Sequence, residues 1–145
     1  MPVPVVTILL VEDDEDDYVL TRDALAETEL PADLRWVRDG GEALDYLRHE
    51  GGYGPLDAPR PALILLDLNM PRMGGREFLE QIKADERFRT IPIVVLTTSD
   101  SKEDVIHSYG LGVNSFIQKP VDFERFTALV RGLTEYWFRL VKLPK

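Results

Sequence analysis

Ala62-Leu63-Ile64-Leu65-Leu66-Asp67-Leu68-Asn69 is a run of apolar residues that ends abruptly in an acid. No polar residue interrupts Ala62 to Leu66, so a strand with one face in water is excluded and one buried on both faces is expected. The same grammar governs Thr7-Ile8-Leu9-Leu10-Val11, which is followed at once by Glu12 and Asp13. Working outward, Ile93-Val94-Val95-Leu96 reads as a further strand closed by Thr97, and Ser115-Phe116-Ile117-Gln118 as a short one closed by Lys119-Pro120. Leu34-Arg35-Trp36-Val37 is a weaker strand, because its apolar residues are interrupted.

Helical spacing fills the intervals. Residues 15–28 place Leu20, Ala24 and Leu25 on one side, and residues 75–85 do the same with Phe78, Leu79 and Ile82. A helix over 41–47 is expected to begin after a Gly-Gly turn. Another is expected over 101–110, with Ser101 as its cap and Asp104 three residues on. Asp122 is expected to cap a long final helix reaching about residue 140. Five strands alternating with five helices argue an α/β domain with a parallel sheet and helices on both faces.

A chain of 145 residues suits one domain, since domains run roughly 100–200 residues. With no cysteine, disulfides, thiolate zinc sites and cysteine nucleophiles are excluded, and two histidines are too few for a multi-histidine metal centre. The formal net charge of −9 argues against direct binding to nucleic acid. The apolar run after Val3 is short, lacks a basic lead-in and ends in six consecutive acids from Glu12 to Asp17, unlike a secretory signal. No stretch approaches the ~18 apolar residues of a membrane span, so the cytoplasm is the expected location.

In open α/β sheets ligands bind beyond the carboxyl ends of the strands, where strand order reverses. The residues just past the strand ends are Glu12 and Asp13, Asp67, Thr97 and Lys119. Three carboxylates, a hydroxyl and an ammonium are thus expected to share one rim. Clustered carboxylates repel one another, and a hard divalent cation with oxygen ligands, Mg²⁺, relieves that repulsion. A carboxylate is also a competent nucleophile toward phosphorus, giving an aspartyl phosphate. Phosphoryl transfer is catalysed by positioning and charge neutralisation, which a metal, a lysine and a hydroxyl supply. Taken singly, each residue has a plainer reading: the acid run favours a helix N-terminus, Asp67 caps a turn, and Lys119 is a surface lysine. Four strand ends carrying compatible types at once favour the joint reading.

The chain resembles the receiver domain of two-component response regulators. The resemblance rests on Leu9-Leu10-Val11-Glu12-Asp13, on Leu65-Leu66-Asp67-Leu68-Asn69-Met70-Pro71-Arg72-Met73-Gly74-Gly75, on Pro92-Ile93-Val94-Val95-Leu96-Thr97-Thr98, and on Gly112-Val113-Asn114-Ser115-Phe116-Ile117-Gln118-Lys119-Pro120. It implies a flavodoxin-like, doubly wound five-stranded parallel sheet in the order 2-1-3-4-5 with five helices. It implies that Asp67 accepts a phosphoryl group from a sensor histidine kinase. Glu12 and Asp13 would be the acidic metal pair, with Asp13 favoured as direct ligand. Asp67 and the backbone carbonyl of Asn69 would complete the protein ligands to Mg²⁺. Lys119 and Thr97 would contact the phosphoryl oxygens, and Thr97 with Phe116 would form the switch. A cis Lys119-Pro120 bond is implied as well. The acid run also permits a register in which Asp13-Asp14 is the pair; direct succession to the strand favours Glu12-Asp13. Phe116 stands where tyrosine is commoner, so the switch has no hydroxyl to donate.

The short remainder after the receiver pattern leads us to expect one receiver domain over 1–145, with no separate output domain. Residues 122–145 would then form a helix and tail carrying a homodimer surface. Phe126, Val130, Leu133, Trp137 and Leu140 follow one another at heptad-like spacings and are its candidate residues, against the alternative that the stripe packs on the core. The tail, the Gly/Pro-rich loop 49–61 and Leu96-Thr97-Thr98-Ser99 narrow the resemblance to the single-domain regulators that partner bacterial phytochromes. A surface loop without a task and a partner-contacting arm are both compatible with 49–61. Two rivals are an Mg²⁺-dependent aspartyl-phosphate phosphatase and an unphosphorylated dimeric interaction module. The phosphatase reading suffers from Asn69, which stands where a general-acid Asp would be needed. A nucleotide-binding module is disfavoured because acids replace a Gly-rich phosphate loop after the first strand. No enzymatic activity beyond self-phosphorylation and self-dephosphorylation is expected.

Overall fold

Side-chain parity along the apolar strands sorts the core into two layers. In the computed structural model, which describes residues 6–27, 32–67, 74–97, 110, 112–113, 115–118 and 123–135, five strands form one parallel sheet. They are β1 (Val6–Val11), β2 (Ala32–Val37), β3 (Leu63–Leu66), β4 (Ile93–Thr97) and β5 (Ser115–Gln118), ordered β2-β1-β3-β4-β5. Successive side chains of a strand point to opposite faces. Leu9, Val11, Ile64, Leu66, Ile93 and Val95 accordingly enter one buried cluster, while Ile8, Leu10, Leu63, Leu65, Val94 and Leu96 enter another. Burial on both faces is why these strands read as unbroken apolar runs. The expected fold class is the observed one.

The helices supply the covering layers. Helix α2 (Gly40–Arg48) and helix α3 (Gly75–Ala84) bring Leu44, Leu47, Phe78 and Ile82 to the first cluster. Helix α1 (Glu15–Ala26) and helix α4 (Phe123–Glu135) bring Ala24, Leu25, Phe126 and Val130 to the second. Asp14 caps α1 by accepting from Asp16 N at 2.8 Å, and the acids Glu15, Asp16 and Asp17 in the first turn suit the positive end of the helix dipole. The expected start of α2 after a Gly-Gly turn needs correction. Asp39 accepts from Glu42 N at 2.8 Å and Glu42 reaches back to Arg38 N at 3.2 Å, so Gly40 and Gly41 form the first turn of the helix instead.

Phe126 and Val130 also need correction as dimer-surface candidates. They are 3% and 1% exposed, seated on the sheet with Ile8 and Leu10, and are not available to a second copy. Leu133 is half-buried against the same cluster. Trp137 and Leu140, residues 101–109 of the helix expected over 101–110, the Asp122 cap and the Lys119-Pro120 bond lie outside the described residues.

Loop 49–61 is fastened at several points. His49 ends α2 in the left-handed region at φ 57°, and its imidazole Nε2 lies 3.0 Å from the Ala58 carbonyl. Tyr46 donates its hydroxyl to Pro59 O at 2.8 Å, and Tyr53 donates to Glu42 Oε1 at 2.9 Å. Ala58 is fully buried, whereas Leu56 is 96% exposed. Burial raises both phenols to about 12, and for Tyr53 the Glu42 carboxylate adds to the rise. These groups hold their protons more tightly when folded, so the associated stability is intact below pH ~10, the unfolded tyrosine value, and is lost as pH climbs toward 12. In an absorbance titration of tyrosinate, two of the five tyrosines should ionise late, together with alkaline unfolding. Five tyrosines ionising together near pH 10 in the folded protein would contradict these contacts.

Candidate functional site

The order β2-β1-β3 makes β1 and β3 the pair at which the winding reverses, and a crevice opens beyond their carboxyl ends. Val11 and Leu66 are partners in the ladder, so the next residues, Glu12 and Asp67, emerge side by side. Asp67 N donates to Val11 O at 3.0 Å, which carries the ladder one step beyond β3. Glu12 N donates to Val37 O at 3.0 Å, tying the start of the acid run to β2. The carboxylate oxygens of Glu12, Asp13 and Asp67 lie within 4.8 Å of one another. Glu12 is 2% and Asp67 7% exposed, while Asp13 is the most exposed of the three.

Asp14 does not join this group, because its side chain caps α1. Its N–H instead donates to Glu12 Oε1 at 3.2 Å. The geometry therefore brings Glu12, Asp13 and Asp67 together rather than the alternative register through Asp14. Three hard oxygen donors of like charge suit a divalent cation. The residues present fit such an ion.

Thr97 is the last residue of β4, the strand beside β3, and pairs with Gln118 of β5. Phe116 pairs with Val95 in the same ladder. The side chains of Thr97 and Phe116, and the whole of Asn69 and Lys119, lie outside the described residues.

An aromatic group absent from the sequence reading adjoins the acids. The Trp36 indole N–H donates to Glu12 O at 2.7 Å. Its ring stacks on Tyr18 of α1 at 4.1 Å and 7°, and the Arg38 guanidinium sits 4.2 Å from it. A tryptophan near the end of an interrupted strand was the available signal, but nothing local shows that it bonds 24 residues back.

A doubly wound sheet with three carboxylates at its reversal point describes a receiver-type signalling domain. Residues 8–131 match the response regulator receiver domain family, and the chain belongs to that family. Among its relatives, the probable methanogenesis regulatory protein FilR2 of Methanothrix harundinacea is 46% identical over 94% of this chain and 86% of its own length. The response regulator Rcp1 of Synechocystis is 41% identical over 97% of this chain and 95% of its own. The crystal structure of the Mn²⁺-bound form of Rcp1 superposes with a TM-score of 0.90 over 97% of this chain and 99% of that one. That of the phosphorylated cyanobacterial phytochrome response regulator RcpA, 44% identical, gives 0.92 over 98% of this chain and 100% of that one. The chain is thus a response-regulator receiver similar to phytochrome response regulators.

Proposed function

We propose that this receiver accepts a phosphoryl group on Asp67 from the phosphohistidine of a sensor histidine kinase, and that the kinase is of the phytochrome type. The observation that carries the reading is the gathering of Glu12, Asp13 and Asp67 within 4.8 Å at the ends of β1 and β3. The phytochrome partner is supported by the likeness to RcpA and Rcp1.

In the reaction an Asp67 carboxylate oxygen attacks phosphorus, the new O–P bond forms as the P–N bond to the imidazole breaks, and the imidazole leaves with a proton. Glu12, Asp13, Asp67 and the Asn69 carbonyl are the residues that would hold Mg²⁺. When bound, the ion supplies charge neutralisation for the transferring phosphoryl oxygens. The ammonium of Lys119 and the hydroxyl of Thr97 contact those oxygens. The added charge then biases a two-state element made of the Thr97 segment and the Phe116 rotamer. Hydrolysis of the acyl phosphate resets Asp67, so the protein turns over only its own phosphoryl group.

Output is a changed binding surface, and a homodimer is the assembly we assign. With Phe126 and Val130 used inside the protomer, its contacts fall to Leu133, Trp137 and Leu140. The working location is the cytoplasm; among the described residues no helix is long and apolar enough to cross a membrane. Intact-mass spectrometry after incubation with acetyl phosphate tests the central step. Wild type should gain one phosphoryl group only with Mg²⁺ present, and Asp67→Asn should gain none. An adduct of equal size on Asp67→Asn would move the acceptor elsewhere.

A further inference from the structure

We propose that Trp36 is a positioning residue for the acid pair, its indole N–H fixing the peptide plane from which the Asp13 carboxylate is presented to a divalent cation. The proposal rests on the metal-binding reading of Glu12, Asp13 and Asp67. The carbonyl of Glu12 and the N–Cα bond of Asp13 belong to one planar peptide unit. Whatever holds that carbonyl therefore also sets the direction in which the Asp13 side chain leaves the backbone.

The holding group is Trp36 Nε1, at 2.7 Å, a separation at the short end for an N–H···O bond. The peptide unit before Glu12 is held by the same strand, through Glu12 N and Val37 O at 3.0 Å. Strand β2 thus grips both peptide planes that flank Glu12, one by its backbone and the other by an indole. Glu12 and Asp67 are buried, whereas Asp13 is the most exposed of the three. A fixed backbone origin matters most for such a side chain.

The indole is itself immobilised. Tyr18 stacks on it at 4.1 Å with planes 7° apart, and the Arg38 guanidinium lies 4.2 Å from the ring. Both contacts favour one ring orientation, and with it one direction for the donor. Tyr18 follows the first-turn acids of α1, the helix that begins within the acid run. The stack therefore joins the entry to α1, the end of β2 and the Glu12 carbonyl into one unit. Groups that hold metal ligands in place typically change metal affinity about 10–100-fold when removed.

Trp36→Phe keeps an aromatic plane for Tyr18 and Arg38 and deletes the donor. Isothermal titration with Mg²⁺ alone should show one ion bound by wild type, none by Asp13→Ala, and about tenfold weaker binding by Trp36→Phe. A tryptophan serving only the fold would lower the melting temperature in EDTA and leave the Mg²⁺ dissociation constant unchanged; that result overturns the proposal. Should Trp36→Phe fail to fold, the wild type still decides. Mg²⁺ should slow solvent exchange of the Trp36 indole proton severalfold in NMR spectra, and an unaltered rate overturns the proposal. A wild type that binds no Mg²⁺ overturns the metal reading itself, and the proposal with it, and is distinguished from the other failures by the absence of binding heat.

Discussion

Saturating Mg²⁺ is expected to raise the melting temperature of the wild type by about 10 °C, and Asp13→Ala should abolish most of that gain. An ion that binds only the folded state stabilises it by RT ln(1 + [L]/Kd), which is about 2.7 kcal/mol at one hundred times Kd. For a domain of this size each kcal/mol is worth roughly 3–5 °C. The ion needs the three carboxylates that the ends of β1 and β3 bring together. Asp13 is the one of the three whose removal disturbs packing least, being more exposed than the buried Glu12 and Asp67. In EDTA the sign reverses. Asp13→Ala deletes one of three clustered like charges and should melt no lower than wild type. Differential scanning calorimetry with and without Mg²⁺ reads both effects, and equal Mg²⁺ shifts in the two proteins would sink the site.

Phe78→Ala is expected to destabilise the fold by about 3–5 kcal/mol, the usual cost of truncating a fully buried phenylalanine. Phe78 has no exposed surface and lies with Leu79 and Ile82 of α3 in the cluster formed by Leu9, Leu66, Ile93 and Val95. Against a typical total of about 5–15 kcal/mol this is a large fraction. Urea denaturation should show a lower midpoint with little change in slope. The molecules that remain folded should take up phosphoryl groups as wild type does, since α3 packs on the sheet and supplies no carboxylate to the cluster. A loss below about 1 kcal/mol would mean that α3 is not seated on the sheet as described.

The sheet was legible because burial on both faces leaves no polar residue in β1, β3 or β4 apart from Thr7 and Thr97, and that signal is local. Asp67 and the pair Glu12-Asp13 were legible for the same reason, as charges following directly on apolar strands. Strand β2 read weakly because it lies at the sheet edge and its residues are mostly half-buried. The start of α2 was misplaced because Gly-Gly suggests a turn, whereas Asp39 and Glu42 supply caps strong enough to draw both glycines into the helix. Heptad-like spacing in the last helix could not distinguish a face turned inward from one offered to a partner. Phe126 and Val130 prove to face inward. The Trp36 contact with Glu12 joins residues distant in sequence, and no pattern of residue types announces such a bond.

The central position of the acid cluster has a consequence for how the molecule breathes. Amide hydrogens exchange through local openings that cost least at sheet edges and most in the centre. Strands β1 and β3 each have a neighbour on both sides, whereas β2 and β5 have one open side apiece. Fraying of β5 leaves the carboxylates of Asp13 and Asp67 mounted at the ends of two interior strands. Amides of Leu9, Leu10, Ile64 and Leu65 should be among the slowest to take up deuterium. The acid cluster is thus built on the slow-opening interior of the sheet, and the edge bearing Phe116 can fluctuate without dismantling it.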